Sequence, residues 1–144
     1  THEGGTSTPF LMSWPQGIKA RGEFRRNVGH VIDVVPTVLE LAGLKTLKDA
    51  PQAPGKSLVS AFTKDESVKH DSLWWFHDGH KAVRSGDWKL VAAKGEPWEL
   101  YDIKSDRAEQ HDVAVAYSEK VKVLAARWTQ SAAEFTKLAT SGPN

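Results

Sequence analysis

Six histidines and no cysteine set the terms for any chemistry in this chain of 144 residues. Without a thiol there is no thiolate nucleophile, no Cys-ligated zinc and no disulfide, and the redox compartment is left open. His77 and His80 flank Asp78-Gly79. In a two-residue hairpin they stand opposite each other on one face, with Cα atoms about 5.5 Å apart. Two imidazoles beside Asp78 could bind a metal or an anion, but a polar turn without a ligand explains the same residues, because metal sites normally need three or four protein ligands. His2 lies in the glycine turn His2-Glu3-Gly4-Gly5. His30 opens an apolar helix and reads as a hydrogen-bonded structural group. His70 and His111 lie among charged loop residues and read as solvated. Asp33 and Asp102 are better explained as a helix cap and a strand-end carboxylate than as calcium ligands.

The elements that would position these groups begin at the glycine turn, where Gly4 and Gly5 are free to take positive φ. Pro9 fixes the entry to Phe10-Leu11-Met12-Ser13-Trp14. Such an uninterrupted run suits a strand covered on both faces, with Trp14 buried, as in the parallel sheets of α/β proteins. Pro15-Gln16-Gly17 ends it, and the charged residues from Lys19 to Arg26 form a wet connection. Val31, Ile32, Val34, Val35, Val38, Leu39, Leu41 and Ala42 then make a helix apolar on nearly every side. Asp33, Thr37 and Glu40 are its only polar stripe. All-round apolarity predicts full burial. Asp33 is placed to cap this helix, Pro36 fits its first turn and Gly43 stops it. Lys45, Lys48, Asp49, Pro51, Pro54 and Gly55 mark a surface crossing and a subdomain boundary. One or two helical turns follow over Lys56 to Phe62.

From Ser72 the period becomes that of strands. Leu73–His77 and His80–Arg84 are joined by Asp78-Gly79, a strong hairpin signal because both central residues of a type I′ turn need positive φ. Trp88–Ala92 and Trp98–Ile103 complete an antiparallel meander. Alternation puts Trp88, Leu90 and Ala92 on one face, with Trp98 and Leu100 on the same greasy side. A cover is supplied by a helix from about Ser118, where Val121, Leu124, Ala125, Trp128, Ala132, Phe135 and Leu138 recur at steps of three and four. Trp75, Trp88, Trp98 and Trp128 are thereby assigned to sheet and helix core, in preference to a sugar-stacking surface. The fold class expected is α+β: the end of an α/β domain, a strand plus a buried helix, followed by a small antiparallel sheet packed by a long C-terminal helix. The domains are drawn at 1–62 and 63–144.

Charge excludes some partners. With 19 basic and 18 acidic side chains the net charge is +1. No run of like charge suggests a nucleic-acid groove or a polybasic membrane contact. No stretch reaches the ~20 apolar residues of a membrane span. The greasy opening third reads as though cut from a longer protein. Self-association or segment exchange between copies is expected once its neighbours are removed.

Four stretches together resemble the C-terminal part of a type I sulfatase, the arylsulfatase family within the alkaline-phosphatase-like superfamily. They are Thr1-His2-Glu3-Gly4-Gly5 with Pro9; the strand end at Trp14-Pro15; His30 to Thr37 running into Ala42-Gly43; and Ala82-Val83-Arg84-Ser85-Gly86-Asp87-Trp88-Lys89-Leu90 followed by Trp98-Glu99-Leu100-Tyr101-Asp102. Each is short, and their order and spacing carry the match over nearly the whole chain. The resemblance implies a parent enzyme, with a further N-terminal sulfatase domain as this chain's partner, that cleaves sulfate monoesters. It would use a formylglycine made from Cys or Ser in a Cys/Ser-x-Pro-x-Arg context and Ca²⁺ held by Asp and Asn. A hydrated aldehyde then attacks sulfur while Ca²⁺ and basic side chains neutralise the sulfuryl oxygens.

None of those groups is expected in this chain. Ser13-Trp14-Pro15-Gln16 imitates the first three positions but has Gly17 in place of the arginine. The family's sulfate-contacting lysine would fall upstream of Thr1, and Thr6-Ser7-Thr8 stands where many relatives carry an arginine. The chain alone is therefore expected to lack catalytic residues, cofactor and activity. By resemblance, His2 lies beside the missing lysine as near-site scaffolding, with general-acid duty as a second role. The His77/His80 turn would overhang the cleft and touch the organic part of the substrate. The family setting points to the periplasm or the secreted fraction. The competing readings are a stand-alone α+β carbohydrate-binding or interaction module, and a fragment of a related metal-dependent phosphohydrolase.

Overall fold

The computed structural model describes residues 1–46 and 54–140. Lys48, Asp49 and Pro51 of the expected surface crossing lie outside the described residues. The fold is α+β, as expected, with a four-stranded antiparallel meander and a long helix near its C-terminal end. Packing groups the chain into two units, Thr1–Pro9 with Asp71–Asn144, and Phe10–His70.

In the first unit the strands are β1 (Leu73–His77), β2 (His80–Ser85), β3 (Trp88–Ala92) and β4 (Glu99–Asp102), in the spatial order of the sequence. The turn between β1 and β2 is the one anticipated: Asp78 has φ 49° and Gly79 φ 87°, and His77 pairs with His80. Gly86, at φ 60°, turns the chain into β3. Val83, Leu90 and Leu100 form a cross-strand row on one face. A helix over Ser118–Thr140 packs there through Val121, Leu124, Ala125 and Trp128. Trp88 and Trp98 join that core, whereas Phe135 and Leu138 at the far end of the stripe stay exposed. Trp74 and Trp128 stack at 5.7 Å, and each indole nitrogen donates to a backbone carbonyl across the contact: Trp74 to Trp128 and Trp128 to Trp75.

The opposite face of the sheet is also buried. Ala82, Val91, Tyr101 and Ile103 pack there with Trp75. Residues 1–7 lie on this side as a short helix α1 (Glu3–Thr6), and not as a glycine turn with positive φ: neither Gly4 nor Gly5 leaves the negative-φ region. The helix Val34–Leu41 is hereafter α2 and Ser118–Thr140 is α3.

In the second unit two expectations are corrected. Residues 10–14 form no strand; Leu11 is 89% and Trp14 42% exposed. A strand needs partners for its backbone groups, and no described segment pairs with this one. The helix after His30 forms, as a 3-10 turn over Val31–Asp33 leading into α2, with Gly43 ending it at φ 71°. Its burial, however, is inverted. Asp33, Thr37 and Leu39 face inward, while Val31 is 76% and Val38 58% exposed, with Val34, Val35 and Leu41 also open.

The cause of the inversion is a buried polar network. The Asp33 carboxylate accepts from the backbone N–H of His30 (2.8 Å) and of Lys56 (2.8 Å) and pairs with His70 Nε2 at 2.9 Å. Thr37 Oγ1 donates to the Asp33 carbonyl and accepts from Leu58 N–H. Asp33 therefore does not cap α2 with its side chain; it reaches back to His30, whose Nδ1 accepts from Ile32 N–H. Gly55 permits the close approach, since a Cβ there would sit 2.1 Å from the Ile32 carbonyl oxygen. His70, expected in solvent, is instead nearly buried against Asp33. Among the described residues no helix is long and apolar enough to cross a membrane.

Candidate functional site

The side chains capable of chemistry gather on the sheet face opposite α3, under residues 1–7. Alternation along β3 sends Lys89 to the other side from Trp88 and Leu90, and pairing places it beside Tyr101. Glu99 and Tyr101 share that face, two residues apart on β4. The Lys89 ammonium is fully buried, 2.9 Å from Glu3 Oε1, 3.3 Å from Thr6 Oγ1 and 5.9 Å from the centroid of the Trp75 ring. Glu109 Oε1 lies 3.0 Å from the same nitrogen but off the axis of a hydrogen bond, so that contact is ionic. Glu109 Oε2 accepts from the Glu3 backbone N–H at 2.6 Å.

Glu109 is delivered by a loop built on carboxylates. Asp106 accepts from the backbone N–H groups of Gln110 and His111, which hold its carboxyl below the usual carboxylate range. Glu109 itself adopts φ 53°, a conformation disfavoured for a residue with a side chain. Asp112 Oδ1 accepts from Leu100 N–H and ties the end of the loop to β4.

His2 stands beside this cluster. Its Nε2 is 3.1 Å from Glu99 Oε2, and the Tyr101 hydroxyl donates to the same oxygen at 3.2 Å. Burial, then the Glu99 charge and its hydrogen bond, push the Tyr101 phenol well above its ordinary value and keep it protonated. With Nε2 held by Glu99, Nδ1 is the ring nitrogen left over on a side chain that is 44% exposed. No hydrogen-bond partner for Nδ1 occurs among the described residues.

His77 and His80 face each other at the β1–β2 turn, His77 exposed and His80 half-buried, with the Asp78 carboxylate 3.4 Å from Lys94. Among the described residues no group of three or more His, Asp or Glu side chains is arranged to hold a metal ion. Sequence reasoning missed Lys89, Glu99, Tyr101 and Glu109. Strand alternation signals only that Lys89 leaves the greasy face, not that carboxylates 86 and 20 residues away meet it there.

Known proteins resemble most of this chain. Residues 1–134 match the family model described as N-sulphoglucosamine sulphohydrolase, C-terminal. The chain belongs to this family. An uncharacterised sulfatase of Schizosaccharomyces pombe is 30% identical over 92% of this chain and 26% of its own length. An N-acetylgalactosamine-6-O-sulfatase of Bacteroides thetaiotaomicron is 23% identical over 85% of this chain and 27% of its own. The crystal structure of Ps i-CgsB superposes with TM-score 0.57 at 26% identity, over 68% of this chain and 23% of that one. This sulphohydrolase-family chain thus spans about a quarter of the length of the relatives it matches. Within it, the Glu3–Lys89–Glu109 cluster and the His2–Glu99–Tyr101 triplet are the polar centres of the sheet unit.

Proposed function

We propose that these residues are the C-terminal part of a sulfuric ester hydrolase, in which residues 1–62 close the α/β catalytic domain and residues 63–144 form the sheet-and-helix subdomain. The observation that carries this reading is the family match over residues 1–134 together with relatives about four times as long. The open valine face of α2 supports it, since the remaining sulfatase domain is the partner that would cover an apolar helix face of this kind. The whole enzyme splits R–O–SO₃⁻ with water to the alcohol and sulfate. The family's description and the B. thetaiotaomicron relative's name make sulfated amino sugars the first natural substrates to test.

The family's formylglycine and calcium do not fit the residues present. There is no cysteine, Ser13-Trp14-Pro15-Gln16-Gly17 lacks the arginine, and among the described residues no metal-holding group is assembled. Those groups belong to the rest of the enzyme, and residues 1–144 contribute positioning. His2 is the substrate-proximal residue in this reading, with His77 and His80 as contacts to the organic part of the ester.

The test is expression of the full reading frame and assay with 4-nitrocatechol sulfate. Release of 4-nitrocatechol by the whole enzyme and none by the 144-residue chain is expected. A whole enzyme inert toward this ester and toward sulfated amino sugars would overturn the reading. Unchanged kinetics on a sulfated amino sugar after replacing both His77 and His80 by Ala would remove those two from it.

A further inference from the structure

Residues 1–7 contain no apolar side chain, so hydrophobic burial cannot hold them. They are tied instead by polar contacts alone. Thr1 Oγ1 donates to the Lys81 carbonyl, His2 meets Glu99, Glu3 and Thr6 meet Lys89, the Glu3 N–H meets Glu109, and Ser7 Oγ accepts from Arg107. Two carboxylates about one buried ammonium are a costly way to gain stability, because desolvating three charges offsets most of their attraction. What such a set does well is fix direction. Lys89 grips the turn from beneath, and Glu99 orients the one imidazole that the turn presents outward.

We propose that Lys89 and Glu99 are positioning residues that act through the Thr1–Ser7 turn to hold His2 Nδ1 against a sulfated substrate. This rests on the sulfatase reading above and assigns the rim of its cleft. Lys89 sets where the His2 backbone lies, through Glu3 and Thr6. Glu99 sets which ring nitrogen faces outward, with Tyr101 holding the carboxylate. Nδ1, the acceptor nitrogen of a ring whose Nε2–H goes to Glu99, then accepts a hydrogen bond from a hydroxyl of the sulfated substrate.

The experiment is a double-mutant cycle in the full-length enzyme, reading kcat and KM for 4-nitrocatechol sulfate together with Tm. His2→Ala and Lys89→Met are each expected to lower kcat by about 100-fold, the scale of a misplaced contacting group, with KM little moved. In the His2→Ala background, Lys89→Met should cost less than about twofold more, because the residue it positions is gone. Leu124→Ala, in the core on the other face of the sheet, should lower Tm while leaving kcat within about twofold. If Lys89→Met does not fold, Glu99→Ala takes its place in the cycle, since Glu99 is partly exposed and its loss removes the group that orients the His2 ring. Equal losses in both backgrounds, or an unchanged kcat in either single variant, would overturn the proposal. An active wild type with additive variants sinks this proposal alone. A wild type inert toward sulfate esters sinks the sulfatase reading with it.

Discussion

Lys89 Nζ and Glu3 Oε1 meet at 2.9 Å across 86 positions of sequence, with both side chains buried. Replacing only the lysine leaves Glu3 and Glu109 facing each other without a counter-charge. Lys89→Ala is therefore expected to destabilise the protein by about 3–5 kcal/mol. The combination Glu3→Leu, Lys89→Met and Glu109→Leu should recover most of that loss, since apolar residues of similar volume often replace a buried ion cluster at little cost. Urea midpoints of the three proteins decide the matter, and a triple variant no better than Lys89→Ala would contradict it.

Asp33 receives two backbone donors and His70, so an amide in its place presents an N–H to a neighbour that also donates. Asp33→Asn should cost about 1–3 kcal/mol from the groups left unsatisfied. Thr37→Val, which strands the Leu58 N–H, should cost a similar amount. Thermal melts of the two variants within a degree of wild type would show that the network contributes nothing.

Gly55→Ala tests the approach of residues 55–56 to the 3-10 turn. A methyl 2.1 Å from the Ile32 carbonyl oxygen meets backbone, so the Lys56 N–H must withdraw from Asp33. The expected loss is about 1–3 kcal/mol, read from a shift in the urea midpoint. A midpoint equal to wild type would place residues 55–56 further from the turn.

The pH dependence of stability has a sign fixed by His30. Burial lowers its pKa from 6.5, against the pull of the nearby Asp33 charge and with a smaller push from His70. Between the lowered folded value and 6.5 the unfolded chain binds a proton that the folded chain refuses, so stability rises with pH in that window. The contribution is complete above 6.5 and is lost as pH falls below it. His30→Asn, which retains an acceptor for Ile32 N–H, should flatten this part of the profile. An identical slope in wild type and variant between pH 7.5 and 5.5 would assign the effect elsewhere.

The isolated chain is expected to self-associate through the open valine face of α2, with Phe10 and Leu11 also uncovered. Val35→Ser with Val38→Ser should reduce association while leaving the urea midpoint nearly unchanged, as exposed substitutions usually do. Sedimentation at several concentrations reads the difference, and a compact monomer throughout would count against the uncovered face.

What could be seen in the sequence followed from local rules. Asp78-Gly79 announced its hairpin because both residues must take positive φ, and Gly43 announced the end of α2 for the same reason. The step of three and four found α3, although Phe135 and Leu138 lie beyond the core made by Val83, Leu90 and Leu100 and stay exposed, with Phe135 resting against Trp74. What escaped depends on partners distant in sequence. Hydropathy counts Asp33 and Thr37 as the outer stripe of a helix, yet Lys56, Leu58 and His70 supply the donors that bring that stripe inside. Phe10–Trp14 has the composition of a covered strand but finds no described neighbour to pair with. The four groups around His2 were hidden because alternation says which face Lys89 occupies and nothing about what covers it.

The ion contact under the Glu3 turn also sets an order of assembly. Each strand of the meander finds its neighbour after a few residues, whereas Glu3 and Lys89 must close a span of 86. Closing so long a span has an entropic cost that is repaid only once its contacts exist. Residues 1–7 should therefore join late during folding and detach first in the native state, with amide exchange at Glu3 well ahead of that at Leu90.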